Sequence, residues 1–125
     1  IDVAHNAASA KALREAIESN FKYDRLILIL GISLHKDIKG MGEYLCPIAD
    51  DVILTRVSNP RAMKPEEMKV ELSDFREDFI ITQDVKSALA KAQAIAKPND
   101  LICITGSVYL AGEAIQILRD NNDIQ

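Results

Sequence analysis

The sequence predicts an α/β domain in which a mostly parallel sheet is covered by helices on both faces. Short apolar runs alternate with amphipathic stretches about five times along the chain. The run that follows Arg25, from Leu26 to Leu30, is continuously aliphatic and ends at Gly31, which is typical of a parallel strand buried on both faces. No linker, internal repeat or low-complexity segment interrupts the alternation. Residues 1–125 are therefore predicted to form one Rossmann-like domain.

The first half of the chain supplies the beginning of this pattern. Ile1–Asn6 is typical of the end of a strand that runs into a loop, and further strands are predicted at 25–30 and 51–55. A helix over 8–21 is predicted from apolar residues at helical spacing, namely Ala10, Leu13, Ile17 and Phe21. A second helix is predicted over 37–46, closed by Pro47.

The second half continues the alternation. Pro65 and two following acids predict the first turn of a helix, because proline suits that position and acids suit the positive end of the dipole. Strands are predicted at 78–82 and 101–105, with a helix from the N-cap Asp84 to Ala96 between them. The last helix begins at Gly106-Ser107, and the polar tail 121–125 is expected to fray. Its predicted buried stripe is Ala111, Ala114, Ile115 and Leu118.

Composition narrows the class of protein. Aromatic residues make up 5% and there is no Trp, so the core must be aliphatic. The net charge of −4 argues against a non-specific nucleic-acid surface, and no apolar run is long enough to span a membrane. Cys46 and Cys103 form no CxxC pair, and with two histidines a structural zinc site is not expected. Two buried thiols in a reducing cytoplasm are expected instead.

Polar residues follow three of the predicted strands, where parallel sheets bind ligands. In the opening segment, Asp2 could accept hydrogen bonds from a ribose hydroxyl and His5 could bind a carboxylate or phosphate oxygen. In the loop Ser58-Asn59-Pro60-Arg61, the arginine offers a planar fork suited to a carboxylate. The same residues also fit purely structural roles, as helix caps, a turn and solvated side chains.

The third polar segment is Thr105-Gly106-Ser107-Val108-Tyr109. A strand that passes through Gly-Ser into a helix presents backbone N–H groups at the positive end of the helix dipole, which predicts an anion site. Ser107 could equally serve only as the N-cap, with Gly106 relieving a tight turn. There is no GxxxxGK[ST] cradle and no GxGxxG fingerprint, and no nucleophile with a partner stands out. The chain therefore predicts a binding face without catalytic residues of its own.

Four segments, in order along the chain, carry a family resemblance. Asp2-Val3-Ala4-His5-Asn6 is similar to a D-G-A-H-N segment, and residues 31–38 are similar to G-x-x-x-D-K-D. Residues 55–62 resemble T-x-x-x-N-P-R-A, and residues 105–113 resemble T-G-S-L-Y-L-V-G-E. These are segments of the C-terminal domain of the folylpolyglutamate synthase and dihydrofolate synthase family, within the Mur ligase superfamily. Val3 and His35 depart from the family pattern.

The resemblance implies an ATP-dependent ligase that adds L-glutamate to folate through an acyl phosphate. It implies a P-loop domain upstream in the same polypeptide that binds most of the ATP and Mg²⁺, so the isolated chain is not expected to be active. By resemblance, Asp2 would contact the nucleotide, while His5 and Ser107 would hold glutamate. Asn59 and Arg61 are further candidates for substrate binding.

Two alternatives remain at this point. The Asn-Pro-Arg loop also suits a peptidoglycan Mur ligase, which attaches an amino acid to a UDP-muramoyl peptide. The chain could also be a free-standing α/β nucleotide-binding module without a catalytic role. Because the chain opens at the end of a strand, we expect a fragment of a longer protein rather than such a module.

Overall fold

The computed structural model describes residues 6–34 and 37–124. Four strands alternate with the helices: β1 (Leu26–Leu30), β2 (Asp51–Leu54), β3 (Ile80–Ile81) and β4 (Leu101–Thr105). The helices are α1 (Ala7–Asn20), α2 (Ile38–Leu45), α3 (Pro65–Leu72), α4 (Val85–Ile95) and α5 (Val108–Ile124). A 3-10 turn at Cys46–Ile48 follows α2. The strand predicted at 1–6 falls largely on residues outside the described ranges.

The four strands form one parallel sheet in the order β3-β2-β1-β4. The chain moves from β1 to β2 to β3 in one direction and then returns to place β4 on the other side of β1. β1 lies in the middle of this arrangement, and all five of its residues are buried. A continuous aliphatic sequence is required there because neither face of the strand meets water.

Helices cover both faces of the sheet, which confirms the predicted fold class. On one face, α1, α2 and α3 pack against Leu26, Leu28 and Leu30 of β1. On the opposite face, α4 and α5 pack against Ile27 and Ile29. Successive side chains of a strand point to opposite faces, so one strand contributes to both cores.

Several helix boundaries follow local chemistry. The side chains of Asn6, Asp37 and Asp84 each accept a hydrogen bond from a backbone N–H three residues on, which begins α1, α2 and α4. Pro65 is the first residue of α3, as predicted, where a missing N–H costs nothing.

Some boundaries and buried positions differ from the prediction. α5 extends past residue 121, the start of the polar tail, and continues to Ile124. Phe21 follows the last residue of α1 and is 53% exposed, since the chain has turned out of the helix. Ile115 is 43% exposed because it is rotated about 100° around α5 from Ala114, which faces the sheet. Among the described residues, no helix is long and apolar enough to cross a membrane.

Both cysteines are buried thiols, as expected. Burial raises the pKa of the Cys46 thiol to about 11, and the nearby Arg76 offsets this only in part. The thiol is therefore protonated and unreactive at neutral pH.

The cap of α4 gives a first test of the fold. Hydrogen bonds from Ser87 lower the pKa of Asp84 below its ordinary value of 3.8. A lowered pKa means that the charged cap stabilises the fold above that value, and that this stabilisation is lost as the pH falls through the folded-state pKa. We expect Asp84→Ala to lower the free energy of unfolding by about 1 kcal/mol at neutral pH, measured by urea titration.

The difference between wild type and Asp84→Ala should shrink in acid. Asp74→Ala is the control, because it removes an exposed carboxylate from a turn after α3 that caps no helix. An equal loss in both variants would contradict the capping role of Asp84.

Candidate functional site

The carboxyl ends of the strands lie along one edge of the sheet, and the loops that leave β1, β2 and β4 meet there. The order of the strands reverses between β1 and β4, because β1 leads away to β2 while β4 lies on the opposite side. In open α/β sheets this reversal leaves a crevice that binds ligands. The candidate site is therefore the edge formed by Gly31, residues 55–63 and Gly106-Ser107.

Backbone contact between two glycines joins the loops after β1 and β4. Gly106 has a φ of 124°, a conformation that L side chains rarely adopt. A Cβ atom at Gly106 would overlap the carbonyl oxygen of Gly31 and would lie 3.1 Å from the backbone nitrogen of Gly31. The N–H of Gly31 donates to the carbonyl of Thr105 at 3.3 Å, so a backbone hydrogen bond also joins the two chain segments where they leave the sheet. Glycine at 106 is therefore required both by the backbone angle and by the space.

Ser107 directly follows Gly106 and caps the N-terminus of α5. Its Oγ accepts a hydrogen bond from the N–H of Leu110 at 3.1 Å, and its carbonyl accepts one from Ala111 at 3.2 Å. The side chain is only 4% exposed. A serine hydroxyl that accepts one bond still has a proton to donate, so capping and ligand contact are compatible. The N–H groups of the first turn carry the positive end of the helix dipole toward the crevice.

The loop after β2 is folded by Asn59. The Oδ1 atom of Asn59 accepts a hydrogen bond from the N–H of Arg61 at 2.8 Å, and its carbonyl accepts one from Ala62 at 2.9 Å. This turn presents Arg61 to solvent. Within the described ranges, the Arg61 guanidinium has no hydrogen-bonding or ion-pair partner. Arg61 is thus available to an anionic ligand.

The loop after β2 is also attached to the loop after β1. The N–H of Leu34 donates to the carbonyl of Arg61 at 2.6 Å, and the N–H of Met63 donates to the carbonyl of Ile32 at 2.9 Å. Ser33 and Ala62 form an isolated antiparallel bridge between these bonds. Through these contacts, the position of Arg61 is coupled to the loop that touches Gly106.

The structure brings three of the candidate residues, Ser107, Asn59 and Arg61, to this edge. Asp2 and His5 lie outside the described residues. Asp37, in the matched segment 31–38, caps α2 by accepting a hydrogen bond from the N–H of Gly40 at 3.1 Å.

Two features of the site were not identified from the sequence. The carboxylate of Glu113 on α5 accepts a hydrogen bond from the N–H of Ser58 in the loop after β2. The only sequence signal was the place of Glu113 at the end of the matched segment 105–113. Thr55 is fully buried at the end of β2, and its Oγ1 has no partner among the described residues.

Other charged groups serve structure rather than the crevice. Glu66 accepts a hydrogen bond from the Gln83 amide at 2.7 Å, which lowers the pKa of Glu66 and ties α3 to the loop after β3. Within the described part of the chain, no three His, Cys, Asp or Glu side chains are grouped closely enough to hold a metal ion.

Comparison with known proteins adds an independent finding. Residues 1–108 match the family model described as Mur ligase, glutamate ligase domain. The chain is 32% identical to the dihydrofolate synthase/folylpolyglutamate synthase of Mycobacterium tuberculosis, over 91% of this chain and 26% of that protein. It is 29% identical to the UDP-N-acetylmuramyl-tripeptide synthetase of Lactobacillus acidophilus, over 95% of this chain and 23% of that protein.

A solved structure shows the same fold. The folylpolyglutamate synthase of M. tuberculosis complexed with ADP superimposes with a TM-score of 0.87 at 29% identity. The match covers 94% of this chain and 29% of that one. The chain thus spans about a quarter of the length of the relatives named here.

The glycine contact predicts a large effect of a small substitution. We expect Gly106→Ala to lower the free energy of unfolding by about 2–4 kcal/mol, because the new methyl group combines backbone strain with overlap on Gly31. Urea unfolding followed by circular dichroism measures this loss.

Gly112→Ala is the matched control, since a Cβ there meets nothing within 4 Å and the residue lies inside α5. It should raise stability by up to about 1 kcal/mol through helix propensity. If Gly106→Ala were as stable as Gly112→Ala, the close contact between the loops would be wrong.

Proposed function

The chain belongs to the Mur ligase family, in its glutamate ligase domain, and we propose that it is the C-terminal domain of an ATP-dependent ligase that adds L-glutamate to folate. Family membership confirms the resemblance noted in the sequence. The folate relative from M. tuberculosis is named as both a dihydrofolate and a folylpolyglutamate synthase. We assign residues 1–125 to this C-terminal domain and place a P-loop domain upstream in the same polypeptide.

The crevice is suited to part of a nucleotide site. The turn at Gly106 leads directly into α5, and the N–H groups of the first turn of that helix suit a phosphate group. ATP supplies the phosphoryl group that activates the acceptor carboxylate as an acyl phosphate. In the proposal, Asp2 contacts the nucleotide from this domain, and the upstream domain holds most of the ATP and the Mg²⁺.

One observation carries the assignment of the amino acid. The partner-free guanidinium of Arg61 and the N-terminus of α5 at Ser107 lie on two loops at the same edge, and both loops contact the loop after β1. An arginine fork and a helix N-terminus both favour carboxylates. L-Glutamate carries two carboxylates, so it can use both groups at once. His5 and Asn59 are the further residues that we assign to this ligand.

The contribution of this domain is positioning. The amino group of glutamate must approach the activated carboxylate in line, and two fixed carboxylate contacts restrict how the molecule can rotate. Closure of the domain over the nucleotide would exclude water, which would otherwise hydrolyse the activated acceptor. No residue of the chain is assigned to covalent or acid–base chemistry.

A peptidoglycan ligase is the second candidate. The tripeptide synthetase of L. acidophilus matches almost the whole chain at 29% identity, and its name specifies a UDP-N-acetylmuramyl acceptor. The carboxylate-binding groups at Arg61 and Ser107 suit either reaction, because both reactions join an amino acid to an activated carboxylate. The two candidate functions therefore differ in the acceptor molecule, and a comparison of acceptors distinguishes them.

The test uses the full-length ligase, with phosphate release measured against ATP, L-glutamate and a panel of folate acceptors. We expect Ser107→Ala to raise the KM for glutamate about tenfold, because it removes one hydrogen-bond donor. Arg61→Ala should raise it by about tenfold to a hundredfold, because it removes a charged contact. The KM for ATP should change little in either variant.

Asp84→Ala is the control for lost capping, since it removes the cap of α4 outside the site. It should leave the KM for glutamate unchanged. Turnover with a UDP-muramoyl peptide and none with any folate would transfer the assignment to the peptidoglycan branch. Absence of turnover with either acceptor would reject the ligase proposal.

A further inference from the structure

The loop that carries Arg61 is attached at two places, and the two attachments differ in kind. Its far end, from Arg61 to Met63, is bonded through backbone groups to the loop after β1. Its near end is bonded to α5 through the Glu113 carboxylate, which accepts from the Ser58 N–H. Within the described ranges, no other side chain from outside residues 56–62 bonds to the backbone of that loop.

Glu113 lies on α5 in a position that favours this bond. Leu110 and Ala114 on either side of it are buried against the sheet, so Glu113 is at the border of the packed face and is half-buried. Val57 is 2% exposed and belongs to the same core cluster as Leu110. Burial of Val57 fixes the residue before Ser58, which brings the Ser58 N–H to the carboxylate. The contact is therefore supported by core packing on both sides.

We propose that Glu113 is a positioning residue that sets the separation between Arg61 and the N-terminus of α5. This inference rests on the proposed function, since these two groups are the ones assigned to the carboxylates of glutamate. Glu113 contacts neither the ligand nor the reacting atoms. It acts by fixing one end of the Arg61 loop to the same helix that begins at Ser107, so that both anion-binding groups belong to one rigid unit.

Two substitutions of Glu113 distinguish a positioning role of this side chain from an effect of its negative charge. A glutamine at 113 keeps a carbonyl oxygen at the same distance along the side chain and still accepts the Ser58 N–H, although the bond is weaker without charge. An alanine removes the acceptor. Positioning therefore predicts that Glu113→Gln retains most of the wild-type behaviour and Glu113→Ala does not.

The functional test measures steady-state kinetics in the full-length ligase. We expect Glu113→Ala to raise the KM for L-glutamate about tenfold with little change in kcat or in the KM for ATP. Glu113→Gln should stay within about threefold of wild type. Glu43→Ala, which removes an exposed glutamate from α2, is the control for loss of a helical carboxylate. A glutamine variant as impaired as the alanine variant would overturn the proposal, as would an unchanged KM in Glu113→Ala.

A structural test distinguishes this proposal from the proposed function. Hydrogen exchange of the Ser58 amide should be slow in wild type and in Glu113→Gln, and faster in Glu113→Ala, while the Gly31 amide stays protected in all three. If the ligase accepts no folate but Ser58 behaves in this way, the proposed substrate fails and the loop attachment stands. If Ser58 exchanges equally fast in all variants, the attachment itself is wrong, whatever the substrate.

Discussion

The close approach of Gly106 to Gly31 is the constraint on which the candidate site depends. β1 and β4 are neighbouring strands, but the chain leaves β1 toward one face of the sheet and leaves β4 toward the other face. The loops after the two strands would therefore move apart without a contact between them. A positive φ at Gly106 turns the chain back across Gly31 and aims α5 along the crevice. The direction of that helix, and therefore the position of Ser107 and of the first-turn N–H groups, follows from this single turn.

The other hydrogen bonds of the site join the loop after β2 to the elements that meet at the glycine contact. The loop after β2 is bonded at one end to the loop after β1 and at the other end to Glu113 on α5. Arg61 is therefore held between two elements that already meet at the glycine contact. The parallel sheet beneath is almost entirely aliphatic, which leaves the specificity of the domain to loop residues at one edge. The proposed ligase, which would orient two substrates and a nucleotide, gains from this separation of scaffold and site.

Much of the fold could be predicted from the sequence, because its signals are local. The aliphatic run 26–30 specifies its strand, and the caps Asp37 and Asp84 each specify the start of a helix within a few residues. The short extent of β3 and the exposure of Ile115 depend on which neighbour covers them, and this tertiary information is absent from periodicity. The position of Asn59, Arg61 and Ser107 at this edge could be predicted, because each residue follows a strand and the carboxyl ends of parallel strands meet at one edge. The bond from Ser58 to Glu113 joins residues far apart in the chain and was not.

The most direct measurement is a titration of L-glutamate into the nucleotide-loaded full-length ligase, followed through backbone amide chemical shifts. We expect the amides of Gly106, Ser107 and Arg61 to shift together and to saturate at one glutamate concentration, because the three residues belong to one proposed site. The amide of Lys97, which lies in the turn before β4 at the opposite edge of the sheet, should not move. Shifts at Lys97 as large as those at Ser107, or shifts at Ser107 without Arg61, would contradict a single site built from these loops.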